Sequence, residues 1–561
     1  MKKLFAMTAM ASAMALVGCG GGGDIKLSPT NIDNSVDNSV NNGGGANNAC
    51  ASYVENGQTF QGEQVGDDCF YDSQFVSSVN PITSDVTFER IAGNHVFEDS
   101  LFIGEDVDAQ AAAAGTRIPQ EGEGAKMTVD SGVTMVFEAR DSYLRVARGS
   151  QIFAEGTADA PIIFTADEDV EGNADENDRG LWGGIQINGN GMTNKCHDGT
   201  ATGSGTGTVS DFDATANNVH NCNQTAEGRP ATYGGNNNAE NSGSLRYVVI
   251  KHAGFEVVDG NELNALTLNA VGSGTTISHV QTYTTQDDGF EMFGGAVNLD
   301  HIVAVNVGDD SIDYSEGYQG KIQYAVVLHT SGSNRCIEGD NTGGNRSDGF
   351  TPRTLLQISN MTCITSDVDE DAGTNPTSKG SSEGPLFREG AYFEMYNSLI
   401  TSNEPSMNSN ECLELDDSEG PQTIDGAQDG TSKASSNVIA CGEALKVGAD
   451  AANTGFNLQA WLDGGDGSAQ TPNNANVNNV VITGGDLPAS VIVDGVGTRD
   501  YRTAASIQDG SGTEVFDQSA DLTDVSTIDA YFEKPTYLGG ATAGDDWLDG
   551  WTVGFDLPLN P

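Results

Sequence analysis

The chain has 561 residues, 81 of them acidic and 25 basic, for a net charge of −56. Such a balance excludes nucleic acid as a partner, because phosphate binding needs a positive face, and it repels anionic lipid unless a divalent cation bridges the two. Hydrophobic residues make up 37%, below the share of about 45–50% (counting glycine) of an ordinary globular domain, so a core has to be thin and repetitive.

Met1-Lys2-Lys3 opens the chain, and an apolar run follows from Leu4 to Val17. Two lysines before a short apolar run read as a secretory leader over residues 1–18. The run falls short of the roughly 20 apolar residues that span a bilayer as a helix. It ends in Leu16-Val17-Gly18-Cys19, which resembles the lipobox of bacterial lipoproteins. That resemblance implies lipidation at Cys19 and, with Gly20 rather than aspartate next, an outer-membrane lipoprotein at the cell surface. Residues 19–49 are rich in Gly, Asn, Ser and Asp, too polar to order themselves, and read as a disordered tether. Without the two leader lysines, 23 basic residues face 81 acidic ones.

Eight further cysteines follow: Cys50, Cys69, Cys196, Cys222, Cys336, Cys363, Cys412 and Cys441. An even number in an exported chain reads as disulfides, with 105 possible connectivities. Their spacing suggests nearest neighbours, each pair stapling a local loop.

Residues 50–124 read as an N-terminal cap. From about residue 125, short β-rich runs recur between turn residues, among them Met127–Phe137, Tyr143–Val146, Gln151–Phe153 and Pro161–Phe164. Two longer stretches repeat at an offset of 22 residues: Ile277-Ser-His279-Val280 and Leu299-Asp-His301-Ile302, then Asp287-Asp288-Gly-Phe290-Glu291 and Asp309-Asp310-Ser-Ile312-Asp313. Ile337-Glu338 continues the series after three inserted residues, and Leu245-Arg-Tyr247-Val248 precedes it. A repeat of this length predicts stacked coils. The pattern from Gly132 to Thr165 resembles bacterial right-handed β-helices. The fold expected is all-β: a right-handed parallel β-helix over 125–480 with coils of about 22 residues. Loop inserts fall near 190–240 and 366–385, and residues 481–561 supply C-terminal coils and a cap containing Trp547 and Trp551.

If one repeat is one coil, Asp287 and Asp288 stack on Asp309 and Asp310, and Glu291 stacks on Asp313. Like charges about 5 Å apart raise one another's pKa or recruit a cation. Ca²⁺ takes six to eight oxygens, so calcium is the cofactor expected, with Glu316, Glu338, Asp340 and Asn341 able to extend the set. The same turns could instead be a solvated acidic stripe. A third reading is a carboxylate active site. Asp288, Asp309, Asp310 and His329 have a passing likeness to polygalacturonase-type glycosidases, but no basic pair for a uronate substrate stands out. His279 and His301 stack at coil spacing as a packed ladder or a metal-ligand pair, Arg335 pairs with the acidic stack, and Trp182 packs. Catalytic triad, P-loop, Rossmann, HExxH and EF-hand motifs are absent from the sequence.

The lipoprotein start, the acidity and the blocks 287–295, 309–321 and 337–341 resemble a family of β-helical surface proteins of marine Gammaproteobacteria, similar to their S-layer and biofilm-matrix proteins. The resemblance implies a non-enzymatic structural protein that self-associates with calcium and meets lipopolysaccharide through divalent cations. The chain departs from typical S-layer subunits in its cysteines and its lipid anchor. The alternatives are a polysaccharide lyase or glycosidase using the stacked carboxylates, and a glycan-binding surface lipoprotein.

Overall fold

Alternation governs the short strands. In Phe290–Phe293, Phe290 and Met292 turn inward while Glu291 turns out; in the next strand Ile312 and Tyr314 turn inward and Asp313 out. Side chains alternate across a strand, so each coil adds one inward apolar rung and one outward rung. The computed structural model describes residues 48–196, 222–258, 261–330, 333–342, 352–366, 382–402, 411–417, 422–448, 455–465, 476–493 and 498–557. The leader, Cys19, the tether through residue 47, and residues 197–221 and 367–381 of the two inserts lie outside the described residues.

Among the described residues, coils stack into a ten-stranded and an eighteen-stranded sheet whose coil-to-coil pairings are parallel. The expected register holds: Ile277 pairs with Leu299, Val280 with Ile302, and Glu291 with Asp313. Asp313 then pairs with Glu338, and Leu245 with Ile277. This is an all-β parallel β-helix.

The coils reach further toward the N-terminus than residue 125. Asp68–Tyr71 already runs parallel to His95–Phe97, Val86–Phe88 to Lys126–Val129, and Leu101–Ile103 to Leu144–Val146. Strands of three or four residues are too short to display an alternation, yet their inward rings stack coil on coil. Tyr71, Phe97, Phe137 and Trp182 follow one another at centroid spacings of 4.8, 5.4 and 4.4 Å. Each such pair is worth about 0.5–1.5 kcal/mol beyond burial. Trp182 is therefore packing, with its Nε1–H donated to the Lys251 carbonyl at 2.7 Å. The antiparallel hairpin Ser52–Glu55 with Gln58–Gln61 and the rings of Tyr53 and Phe75 lie at the N-terminal end of the described coils.

The C-terminal segment also departs from expectation. Instead of capping the end, residues 498–557 run along the outside of the helix. Asp521 and Thr523 meet Ser436 and Asn397, Tyr537 meets Asn360, Glu533 meets Gln323, and Val553 meets Gln281. The cause lies in the coils, which present Val303, Val305, Val326, Leu328, Ile364 and Leu399 on this outer face. Leu538, Ala541, Leu548 and Trp551 cover them. In the last coil, buried Trp461 of the helix Leu458–Leu462 fills the core and donates to the Ala427 carbonyl.

All four nearest-neighbour disulfides form: Cys50–Cys69, Cys196–Cys222, Cys336–Cys363 and Cys412–Cys441. The last two do not staple surface loops. All four of these cysteines are fully buried in the core cluster.

At one corner of the helix a left-handed residue recurs from coil to coil. Tyr247, His279, His301, Tyr324, Asn360, Asn397, Ser436 and Asn478 occupy this position with φ between 48° and 62°. Left-handed backbone costs a residue with a Cβ roughly 1–2 kcal/mol, and Asn tolerates it best after Gly. The stacking of His279 on His301, rings 4.4 Å apart at 7°, is thus a corner ladder outside the core. Burial, then the neighbouring His301, pushes His279 down to about 4.

Candidate functional site

The outward rungs of the ten-stranded sheet change character along the helix. In register they read Arg145, Gln186, Thr267, Glu291, Asp313 and Glu338. An apolar or amide rung is satisfied by cover; a carboxylate rung is not.

The structure brings Asp287, Asp288, Glu291, Asp309, Asp310 and Asp313 together as one stack and adds Glu338. Oxygens of Asp287, Asp288 and Asp309 lie within 4.8 Å of one another, as do those of Asp288, Glu291 and Asp313, and those of Asp310, Asp313 and Glu338. Backbone amides hold the turns in place. Asp288 Oδ1 accepts from the Asp310 N–H at 2.9 Å, and Asp310 Oδ1 accepts from the Arg335 N–H at 2.8 Å. Asn334 Nδ2 donates to Asp309 Oδ1 at 2.9 Å, and Asn264 donates to Glu291. Asp287, Asp288, Glu291 and Asp310 are only 5–7% exposed.

Burial is the largest influence on these groups, and neighbouring carboxylates add to it. Asp288, Glu291, Asp310 and Asp313 are all pushed well above the usual carboxylate range, and Glu338 rises to about 7. Asp313 Oδ1 is buried without a hydrogen-bond partner. Two oxygens on opposite sides of a Ca²⁺ ion stand at most about 5 Å apart, from bond lengths of 2.3–2.6 Å. The set is all-oxygen and compact enough to meet that limit.

Arg335 does not use its guanidinium on this stack. It reaches the next acidic group instead, pairing with Glu383, with Glu414 at 3.0 Å and with Glu411 at 3.5 Å. Its contribution to the stack is the hydrogen bond that its backbone N–H donates to Asp310, because the side chain follows the rungs C-terminal to it. Arg388 pairs with Glu338 at 2.6 Å and Asp340 at 3.0 Å. His329 is fully buried between Ser311 Oγ (3.1 Å) and Ser382 Oγ (2.8 Å), and burial pushes it down to about 3. It stays neutral and sealed from any substrate.

Several neighbours carry no signal in the sequence. The hairpin Gln224–Thr225 with Thr232–Tyr233, from the first insert, packs on Ala270 and Phe293 and brings Glu227 beside the stack. Burial, then Glu262 and Glu316, raises Glu227 to about 7. Tyr233 donates to Glu316 at 2.6 Å, and Lys195 pairs with Glu316. Distance along the chain hides these partners, since a loop insert has no period to align it with the coils.

Residues 115–432 match the family described as pectate-lyase like beta helix domain. That is more than half of the chain. The protein belongs to this pectate-lyase-like β-helix family. No curated protein and no solved structure matches it. In this β-helix the ten-stranded sheet carries the acidic rungs, and the fold is compatible with an enzyme as well as with a structural protein.

Proposed function

We propose that the protein is a non-enzymatic structural protein of the cell surface, S-layer-like or biofilm-matrix, that holds calcium in the stack Asp287, Asp288, Glu291, Asp309, Asp310 and Asp313 and self-associates. One observation carries this reading: buried carboxylates on successive coils approach within 4.8 Å, and Asp313 keeps one oxygen without a partner. A divalent cation would relieve that repulsion and tie coil to coil, whereas a polysaccharide would find Asp287, Asp288, Glu291 and Asp310 only 5–7% exposed. The lipidated Cys19 would anchor the chain in the outer membrane, and cations would bridge its net charge of −56 to neighbouring copies or to lipopolysaccharide.

The test is electron microscopy of the purified mature protein with millimolar calcium and then with chelator. Ordered arrays that dissolve on chelation support the reading. Single particles in both conditions overturn self-assembly. The second reading, a polysaccharide lyase or glycosidase, draws on the partly exposed Glu338 and Arg388, with the buried Asp340 beside them. Here a guanidinium does lie on the acidic face. Release of new reducing or unsaturated ends from a uronate polysaccharide, lost in Glu338→Gln, would favour it over the structural role.

A further inference from the structure

The corner ladder holds a second group of donor atoms with different chemistry. His279 and His301 stand on neighbouring coils with their rings stacked, and Asp300 lies beside them. Asp300 Oδ1 is 2.8 Å from His301 Nδ1. The same oxygen accepts from Ser278 Oγ at 2.7 Å, and that hydroxyl is 2.9 Å from His279 Nδ1. Donor atoms of His279, Asp300 and His301 all lie within 4.8 Å of one another, and each residue is partly exposed. A pocket of about 140 Å³ opens beside them, with Gln323, Tyr324, Tyr531 and Glu533 in its wall.

Calcium favours oxygen alone, while imidazole nitrogen with carboxylate suits zinc and its neighbours. We propose that His279, Asp300 and His301 form a binding site for a divalent transition-metal ion of the zinc class, chemically separate from the carboxylate stack. The ion takes the place of the proton held between His301 Nδ1 and Asp300, and both imidazoles ligate through Nδ1. Glu533, on the pocket wall, is the carboxylate available as a fourth ligand. Ligand atoms of a tetrahedral zinc shell stand about 3.4 Å apart, so binding tilts the two rings out of their stack, a rotation their partly exposed edges permit. Because Glu533 belongs to the C-terminal segment, the ion would clasp that segment to the coils.

The test is zinc binding by the full mature chain, measured by calorimetry in millimolar calcium so that the oxygen-only stack is occupied. One zinc per chain is expected. Copper should quench the indole emission, since Trp547 and Trp551 lie 4.9 Å from His301 and 6.0 Å from His279, while Trp182 and Trp461 are fully buried. The variant His279→Asn with His301→Asn suits the backbone, because Asn already holds the same corner at 360, 397 and 478. It should weaken zinc binding roughly tenfold or more and remove the quench, while Asp310→Asn keeps both. Should the double variant fold poorly, Asp300→Asn gives the same readout from outside the corner. Undiminished stoichiometric binding in these variants, or no zinc uptake by the unaltered chain, would overturn the site.

Discussion

Two outer faces of one solenoid meet opposite problems. On one, Val303, Val305, Val326 and Leu328 form an apolar surface that the C-terminal segment covers. On the other, the carboxylates of Glu291, Asp313 and Glu338 follow one another in register. The coil fixes the spacing of whatever it stacks. Apolar rungs gain from that spacing once water is excluded, and like charges lose by it. The first face is completed by the chain's own residues 498–557, whereas the second is where we propose a bound cation.

The largest effect should come from uncovering the apolar face. Removing residues 498–557 leaves Val303, Val305, Val326, Leu328, Ile364 and Leu399 in water, and an apolar patch of that extent drives aggregation. Size-exclusion chromatography should show loss of the monodisperse species. A milder form is Trp551→Ala. Trp551 is 3% exposed, and its loss should cost about 3 kcal/mol in denaturant titration. Unchanged stability would mean that the segment rests on the coils without holding them.

The acidic face should respond to calcium well beyond the screening that any salt gives to like charges. Calcium at a hundred times its dissociation constant should add about 2.7 kcal/mol, seen as a rise in Tm that chelator reverses. Asp310→Asn sharpens the contrast: in chelator it removes one buried like charge and should stabilise by about 1–2 kcal/mol, while in calcium it should lose most of the ion's effect. If the variant is less stable than the parent in both conditions, the stack is satisfied by hydrogen bonds and needs no ion.

The pH dependence follows from the same groups. Burial, reinforced by Asp340 and Asp309 against Arg388, raises Glu338 from 4.5 to about 7. The folded chain therefore keeps a proton that the unfolded chain gives up. Below about pH 4.5 the group costs nothing, and as pH rises to about 7 stability falls, by at most about 3 kcal/mol for this residue. Asp288, Glu291, Asp310 and Asp313, raised in the same direction, steepen the fall. Denaturant midpoints in chelator should decline across that window and flatten in calcium, which competes with protons for the oxygens.

The carboxylate stack was legible because both its members and their spacing repeat. Asp287-Asp288 and Asp309-Asp310 carry the same letters 22 residues apart, and the pairing Glu291 with Asp313 follows from that offset alone. The cover was not. Leu538, Ala541, Leu548 and Trp551 come from one irregular segment that covers several coils, so their spacing reflects its path and has no period. Arg388 and Glu227 escaped for a related reason: long inserts separate them from the rungs they touch. The corner escaped because Tyr, His, Asn and Ser share a backbone angle there and little chemistry.

That corner offers the smallest and cleanest contrast. Asn478 is exposed, has φ 57°, and donates to the Asp521 carbonyl at 3.0 Å. At an exposed site the packing terms that dominate at Tyr324 or His301 drop out, leaving the backbone. Asn478→Ala should cost about 1 kcal/mol, because alanine meets the left-handed penalty without a side chain to hydrogen-bond locally. Asn478→Gly loses the same bond but escapes the penalty, so it should cost less. Equal losses in the two variants would place the effect in the hydrogen bond to the C-terminal segment. A larger loss for alanine would place it in the turn, and would mean that each coil carries a small conformational cost at its corner that the core beneath it offsets.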